Sequence, residues 1–317
     1  MRQSTYDDAF ANMMDKYLTR ENYGFLLGLI GVIIFSLTLP ITRHLSQIGF
    51  TSLEIGFGRG FLAGLASLLI LLFKGHLKFQ SLPCRSDFIK LAITAAGVVF
   101  GFPIFTAVAM QTIPAGNGGI VLAAVPLSTA IFAGFLSEEK PSVRFWIIAI
   151  LGFITVIIFR LLTTNSSLLD IGLGDLALFL CVLLGGMGYA QGGILGKKMS
   201  GWRVICWSLV ISLPLVVPLA LIHFDLTHLA EIARDSPKSI MLFVFLCLFN
   251  NLIGFFFFYE GLGMGGVARV SQIDLFRPFL TFFFSVVFLG EKMSAIAVFF
   301  LLLIIVIVYS SKRSAIR

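Results

Sequence analysis

The sequence predicts an all-α integral membrane protein in which ten transmembrane helices form two inverted five-helix repeats, with both termini in the cytoplasm. Three observations carry that prediction. The chain contains unbroken apolar runs of bilayer-crossing length, its basic residues gather in alternate loops, and its two halves resemble each other at a fixed offset.

The 317 residues are 58% hydrophobic and only 12% charged, with a mean hydropathy of +1.00, well outside the range of soluble domains. A hydrocarbon layer of ~30 Å needs ~20 apolar residues in helical form. Such runs fall at about 24–42, 53–73, 88–110, 115–137, 143–162, 173–196, 204–222, 239–260, 265–288 and 294–311. They are continuously apolar, which selects helices over the short alternating strands of a barrel. Ahead of them, segment 1–23 carries Asp7, Asp8, Asp15 and Glu21, so it is not a signal peptide. Phe10, Met13, Met14, Tyr17 and Leu18 recur in it at helical spacing, which fits either a helix lying on the membrane surface or a mobile tail.

With the N terminus inside, 15 of the 23 Lys and Arg residues lie in cytoplasmic segments and 5 in outer loops. This is the bias of a multi-pass protein whose tail, 312–317, also ends in the cytoplasm. The net charge of +7 therefore follows topology and implies no nucleic-acid partner. Cys181, Cys206 and Cys247 lie inside apolar runs and Cys84 in a loop. None has metal-ligand spacing, so they read as small apolar residues.

Sliding the chain on itself by about 152 residues pairs Phe105 with Phe257, Pro126 with Pro278, Thr129 with Thr281, Phe132 with Phe284, Glu139 with Glu291, Lys140 with Lys292 and Ser142 with Ser294. The first repeat then spans 24–162 and the second 173–311. An odd number of spans per repeat inserts the second copy upside down, the arrangement of secondary transporters that hold substrate between their halves.

Within the ninth run the chain places Asp274, Arg277 and Pro278 near mid-span. A charge at that depth costs ~2.5–3.5 kcal/mol on insertion scales. At the repeat-related positions stand Leu122 and Val125, so the charges are private to the second half while the proline is shared. Asp274 and Arg277, spaced i, i+3 on one helical face, would offer a cation to a carboxylate and an anion to an amine; the competing reading is an ion pair that locks the helix. Pro126 and Pro278 would each leave a helix carbonyl unpaired or simply kink the chain.

Other polar residues at membrane depth are Gln272, Asn117, Tyr189, Tyr259, Gln191, Asn250 and Asn251. Gln272 and Asn117, in the runs of the repeat-related prolines, are candidate cavity residues, and all seven can also bond neighbouring helices. Phe102, Phe105, Phe257, Phe276 and Phe279 could wall a cavity or face lipid. Arg59 and Glu54 in the second run read as a snorkelling or salt-bridged pair, or as attractors of substrate. Glu260 and Arg269 read as an inner gate or as charges at the water boundary, and Glu54, Glu260 or Asp274 could carry a coupling proton. Gly56, Gly60 and Gly64, and Gly188, Gly192 and Gly196, mark faces where helices approach closely.

Catalysis lacks its parts. The four histidines fall in loops or at span ends, and no G-x-S-x-G, H-E-x-x-H or P-loop occurs, so neither an enzyme, a metal site nor a cofactor is expected.

The chain resembles the EamA-type ten-helix members of the drug/metabolite transporter superfamily over residues 24–311. The resemblance rests on the two repeats, on "GFGRGFLAGLASLLILL" with Arg59, and on the repeat ends "FLSEEKPSVRFWIIAILGF" and "FLGEKMSAIAVFF". The first copy departs from the usual L-G-E, with Ser137 and Glu138 ahead of Glu139. The resemblance implies an exporter of amino acids or related small metabolites in a bacterial inner membrane. It places helices one, three, four, six, eight and nine around a central cavity, which puts Asp274, Arg277, Gln272, Tyr189, Tyr259 and Asn117 on cavity helices as candidate substrate contacts, and leaves Glu139 and Glu291 as structural caps. A multidrug or amphiphile exporter of the same fold, or a non-transporting membrane scaffold, are the alternatives.

Overall fold

The computed structural model describes residues 20–78, 82–136, 142–163, 172–292 and, beyond them, 294–296, 298–300, 302, 303 and 306. Segment 1–19, Glu139, the tail 312–317 and the side chains of Arg269 and Gln272 lie outside the described residues. What is described is helical, without a strand among the described residues.

Seven described stretches are long and apolar enough to cross a membrane: Asn22–Gln47, Ser52–Phe73, Arg85–Ala109, Ala115–Leu136, Leu173–Gly196, Gly201–His223 and Pro237–Gly265. Their limits fall within a few residues of the apolar runs, because run length at 1.5 Å per residue is set by bilayer thickness. Several are segmented. The first stretch holds α1 (Arg20–Ser36) and α2 (Thr38–Gln47), and the second is α3 (Ser52–Phe73). The third joins α4 (Arg85–Ala95) to α5 (Phe102–Ala109) through a π-helical stretch, Ala96–Gly101. The fourth is α6 (Ala115–Leu122) and α7 (Val125–Leu136), followed by α8 (Val143–Thr163).

In the second half come α9 (Leu173–Gly196) and α10 (Gly201–His223). A short surface helix, α11 (Leu226–Asp235), was not legible as an apolar run; it starts where the Asp225 carboxylate accepts from the backbone of Thr227 and His228. Next, α12 (Pro237–Phe245) and α13 (Gly254–Gly265) flank a second π-helical stretch, Leu246–Ile253. The run expected at 265–288 is not one helix. It is α14 (Val267–Val270), a 3-10 stretch (Ser271–Phe276) and α15 (Arg277–Leu289).

The halves exchange partners. α13 of the second half packs along α1 of the first, and in the matching pair α9 of the second half packs on the π stretch and α5 of the first; α3 and α10 pack on each other, as do α6 and α15. Residue for residue, positions 22–42 and 172–192 show the same pattern of burial, although few of their side chains are alike. The repeat fixes which face is buried, whatever side chain fills it.

Close approach at both exchanged crossings requires glycine. A Cβ on Gly97 would stand 2.7 Å from the Cα of Gly188, and one on Gly261 2.8 Å from the amide nitrogen of Gly28. The Gly188 face is thus a helix crossing, as its four-residue spacing with Gly192 and Gly196 predicts. We expect Gly97→Ala to cost about 1–3 kcal/mol through overpacking against backbone that cannot give way, read as a lower melting temperature of the detergent-purified protein.

A buried arginine and carboxylate at a broken helix

The local geometry begins with proline. Pro278 has no N–H, so the Asp274 carbonyl four residues earlier loses its helical donor. The chain tightens to 3-10 geometry, and the Arg277 N–H donates to the Asp274 carbonyl instead. Of the two outcomes open to Pro278, an unpaired carbonyl or a plain kink, the carbonyl is satisfied by the backbone, and Pro278 sits in the first turn of α15, where proline is tolerated. The first half breaks at the same place: Ala123 and Ala124 donate to the carbonyls of Ile120 and Val121 at 3.1 Å, and α7 restarts at Val125 with Pro126 next.

A third proline, which the repeat did not reveal, breaks the first stretch. Pro40 removes the donor for the Ser36 carbonyl, and the Thr281 hydroxyl from α15 donates to that carbonyl at 3.1 Å. The Asn250 amide donates to the nearby Ile34 carbonyl at 2.9 Å and to the Thr38 hydroxyl at 2.8 Å. These side chains supply the hydrogen bonds that water cannot supply inside a bilayer.

At the break in the ninth run, Asp274 and Arg277 are 1% and 2% exposed. The Arg277 guanidinium lies 5.0 Å from the ring centre of Phe102 and 5.5 Å from that of Phe35, within cation–π range of both. Its Nη1 donates to the Tyr189 hydroxyl at 3.2 Å and stands 3.6 Å from Asp274 Oδ2. Arg277 Nε and Nη2, and both Asp274 oxygens, have no hydrogen-bond partner among the described residues. An ion pair this buried, with most of its donors and acceptors unused, is costly to hold and complementary to a group that brings both signs of charge.

Tyr189 and Tyr259 are fully buried beside this centre. The Tyr259 hydroxyl donates to the Gly188 carbonyl at 3.1 Å, and its ring occupies the space a side chain at Gly192 would need. Phe35, Phe255 and Phe258 pack around Tyr189. Sequence reasoning missed these three because 34 phenylalanines give no contrast. Of the expected aromatic wall, Phe102 touches Arg277, Phe105 is half-buried at the edge of the core, and Phe276 does not belong: it is 56% exposed on the outer surface. The tight 3-10 turn points it away from its neighbour Arg277. Asn117 is half-buried in α6, apart from the Arg277 contacts.

The expected gate residues have structural work. Glu260 accepts from the Gly201 N–H at 2.5 Å, capping α10, and is half-buried. Its pairing with Arg269 lies outside the described residues. Glu54 accepts from the Thr51 N–H and hydroxyl at 2.8 and 2.9 Å in a capping box, with His228 Nδ1 at 3.7 Å; neither it nor Arg59 pairs with the other. Glu291 accepts from the Ala115 and Gly116 N–H groups, both at 2.9 Å. It therefore caps α6 across the repeat interface, as its place at a helix end implied.

Arg59 does not snorkel. It is 1% exposed and its Nη2 donates to Asn250 and Asn251 at 2.9 and 3.4 Å. Consecutive residues turn through a smaller angle in a π helix than in an α helix, which lets both amide oxygens address one guanidinium.

We expect Thr281→Val to cost about 1–3 kcal/mol by orphaning the Ser36 carbonyl. In a Pro40→Ala background, where the helix regains its own donor, the same substitution should cost less; the interaction term of the double-mutant cycle in thermal unfolding checks this.

The profile of the EamA-like transporter family matches residues 22–161 and again residues 172–311. A Bacillus subtilis (strain 168) protein described as uncharacterized transporter YdeK is 37% identical over 277 residues, covering 87% of this chain and 92% of that protein. A second from the same organism, uncharacterized transporter YyaM, is 23% identical over 231 residues, 71% of this chain and 72% of its own. One solved crystal structure shares the fold, with a TM-score of 0.65 at 15% identity over 93% of this chain and 95% of its own. With two copies of the family's repeat covering nearly all of its length, the chain belongs to the EamA-like transporter family.

Proposed function

We propose that this multi-pass membrane transporter is a secondary active exporter of amino acids or related small zwitterionic metabolites, working by alternating access across a bacterial inner membrane. In this reading ten helices form two inverted repeats with cytoplasmic termini. The Arg277 and Asp274 pair is the observation that carries it: a cation and an anion side by side at the helix break, each with hydrogen-bonding capacity unspent. A substrate carboxylate would accept from Arg277 Nε and Nη2 while its ammonium donates to Asp274. Tyr189 and the rings of Phe35 and Phe102 hold the guanidinium in place.

Exchange of substrate for a proton needs a buried carboxylate that is free to change partners. Glu54 and Glu260 are committed to helix N-termini, which leaves Asp274 as the proton carrier. The shared proline breaks would act as hinges between inward- and outward-open forms. A second reading, an exporter of apolar amphiphiles, is favoured by the ring cluster of Phe35, Tyr189, Phe255 and Phe258. In it the ion pair would be packing.

Thermal-shift titration of the detergent-purified protein against amino acids, their esters and hydrophobic cations separates the two. The zwitterion reading expects free amino acids to stabilise the native protein and esters to lose most of the effect. It also expects Asp274→Asn and Arg277→Gln each to weaken binding by about tenfold or more, the scale for a buried charge pair. Stabilisation by hydrophobic cations alone, undiminished in both variants, rejects it.

A further inference from the structure

The Arg59 side chain is as deeply buried as Arg277 but has no carboxylate within salt-bridge distance among the described residues. Its partners are neutral. Asn250 and Asn251 turn their oxygens to it because their amide nitrogens are tied down elsewhere, Asn250 to the Ile34 carbonyl and Thr38 hydroxyl, Asn251 to the Arg59 carbonyl at 3.5 Å. Arg59 Nε and Nη1 have no hydrogen-bond partner among the described residues. Arg277 lies within electrostatic reach, as do Cys181 and Tyr189. Among the described residues Asp274 stands beside Arg277 and Glu54 is held by Thr51, so neither carboxylate is paired with Arg59. Among the described residues, then, the Arg59 charge at membrane depth has no counter-ion, and an incoming anion would remove that cost.

We propose that Arg59, framed by Asn250 and Asn251, is an anion-binding site that works beside Arg277 and Asp274. It takes a carboxylate-sized monoanion, supplied either as a second acidic group on the substrate or as a free inorganic anion such as chloride. The amides set the site's selectivity. They give Arg59 a fixed position without neutralising it, where an aspartate in their place would fill the site permanently. This rests on the zwitterion reading for its substrate class, which becomes an amino acid with net negative charge or one bound together with an anion.

The test is a thermal-shift titration of the full-length protein in detergent with alanine and glutamate, in low-salt buffer and with added sodium chloride, on the native chain, Arg59→Gln and Asn251→Asp. If the second acidic group is the ligand, glutamate binds about tenfold more tightly than alanine in low-salt buffer. If the free anion is, chloride tightens alanine binding by a similar factor. Either advantage disappears in Arg59→Gln and in Asn251→Asp, which puts a carboxylate beside the guanidinium with almost no change of shape. Should Arg59→Gln fail to fold, the aspartate variant decides alone.

Alanine binding with no anion advantage in the native chain overturns the Arg59 site and leaves the ion-pair reading standing. An anion advantage that persists in Asn251→Asp also overturns it. An anion response that depends on Arg59 without any alanine response upholds the site and rejects the zwitterion reading.

Discussion

A guanidinium in a water-free interior keeps its charge, because its pKa is too high to shed a proton, so the surrounding fold has to accommodate it. Around Arg277 that means four helices converging on one side chain. α1 contributes Phe35, α5 contributes Phe102, α9 contributes Tyr189, and the 3-10 stretch ahead of α15 contributes Asp274. The convergence is possible because Gly97 meets Gly188 and Gly28 meets Gly261 at nearly backbone-to-backbone distance. Larger residues at these crossings would open the box around Arg277 and leave the charge bare.

The backbone of the two halves is more symmetric than their chemistry. Both halves carry a π-helical stretch in the third long helix and a break just before a shared proline. Where the second half has Asp274 and Arg277, the first buries Leu122 and Val125 just as fully. The break is thus a property of the scaffold, and the charges are an addition made in one half alone. The amides are one-sided in the same way. At the 152-residue offset Asn250 and Asn251 answer to Val98 and Val99 in the first half's π-helical stretch, so only one of the two stretches carries amides for an arginine.

How much of this was legible in the sequence depends on the range of the interaction. Apolar runs reported the long helices, because the bilayer acts on each run independently. Pro278 reported a break, and Asp274 and Arg277 reported a buried ion pair, since charges at that depth stand out against leucine and phenylalanine. The first long helix was read as continuous although Pro40 breaks it, and α11 was invisible because a surface helix carries no apolar run. Arg59 was misjudged for a different reason. Its position near one end of a run suited snorkelling, and nothing local reveals two amides that come from 191 and 192 residues away.

By itself, then, the sequence determined what each segment does in its own surroundings: which stretches enter the apolar phase, where proline denies the helix a donor, and which residues cannot be left to lipid. The tertiary structure decided which groups share a neighbourhood. It gave Glu54 and Glu260 to helix N-termini, turned Phe276 outward, closed Phe35 and Phe102 over Arg277, and left Arg59 with amides in place of a carboxylate. The physical reason is that insertion into a bilayer is a sum over single segments, whereas electrostatic compensation at membrane depth depends on distances between groups far apart in the chain.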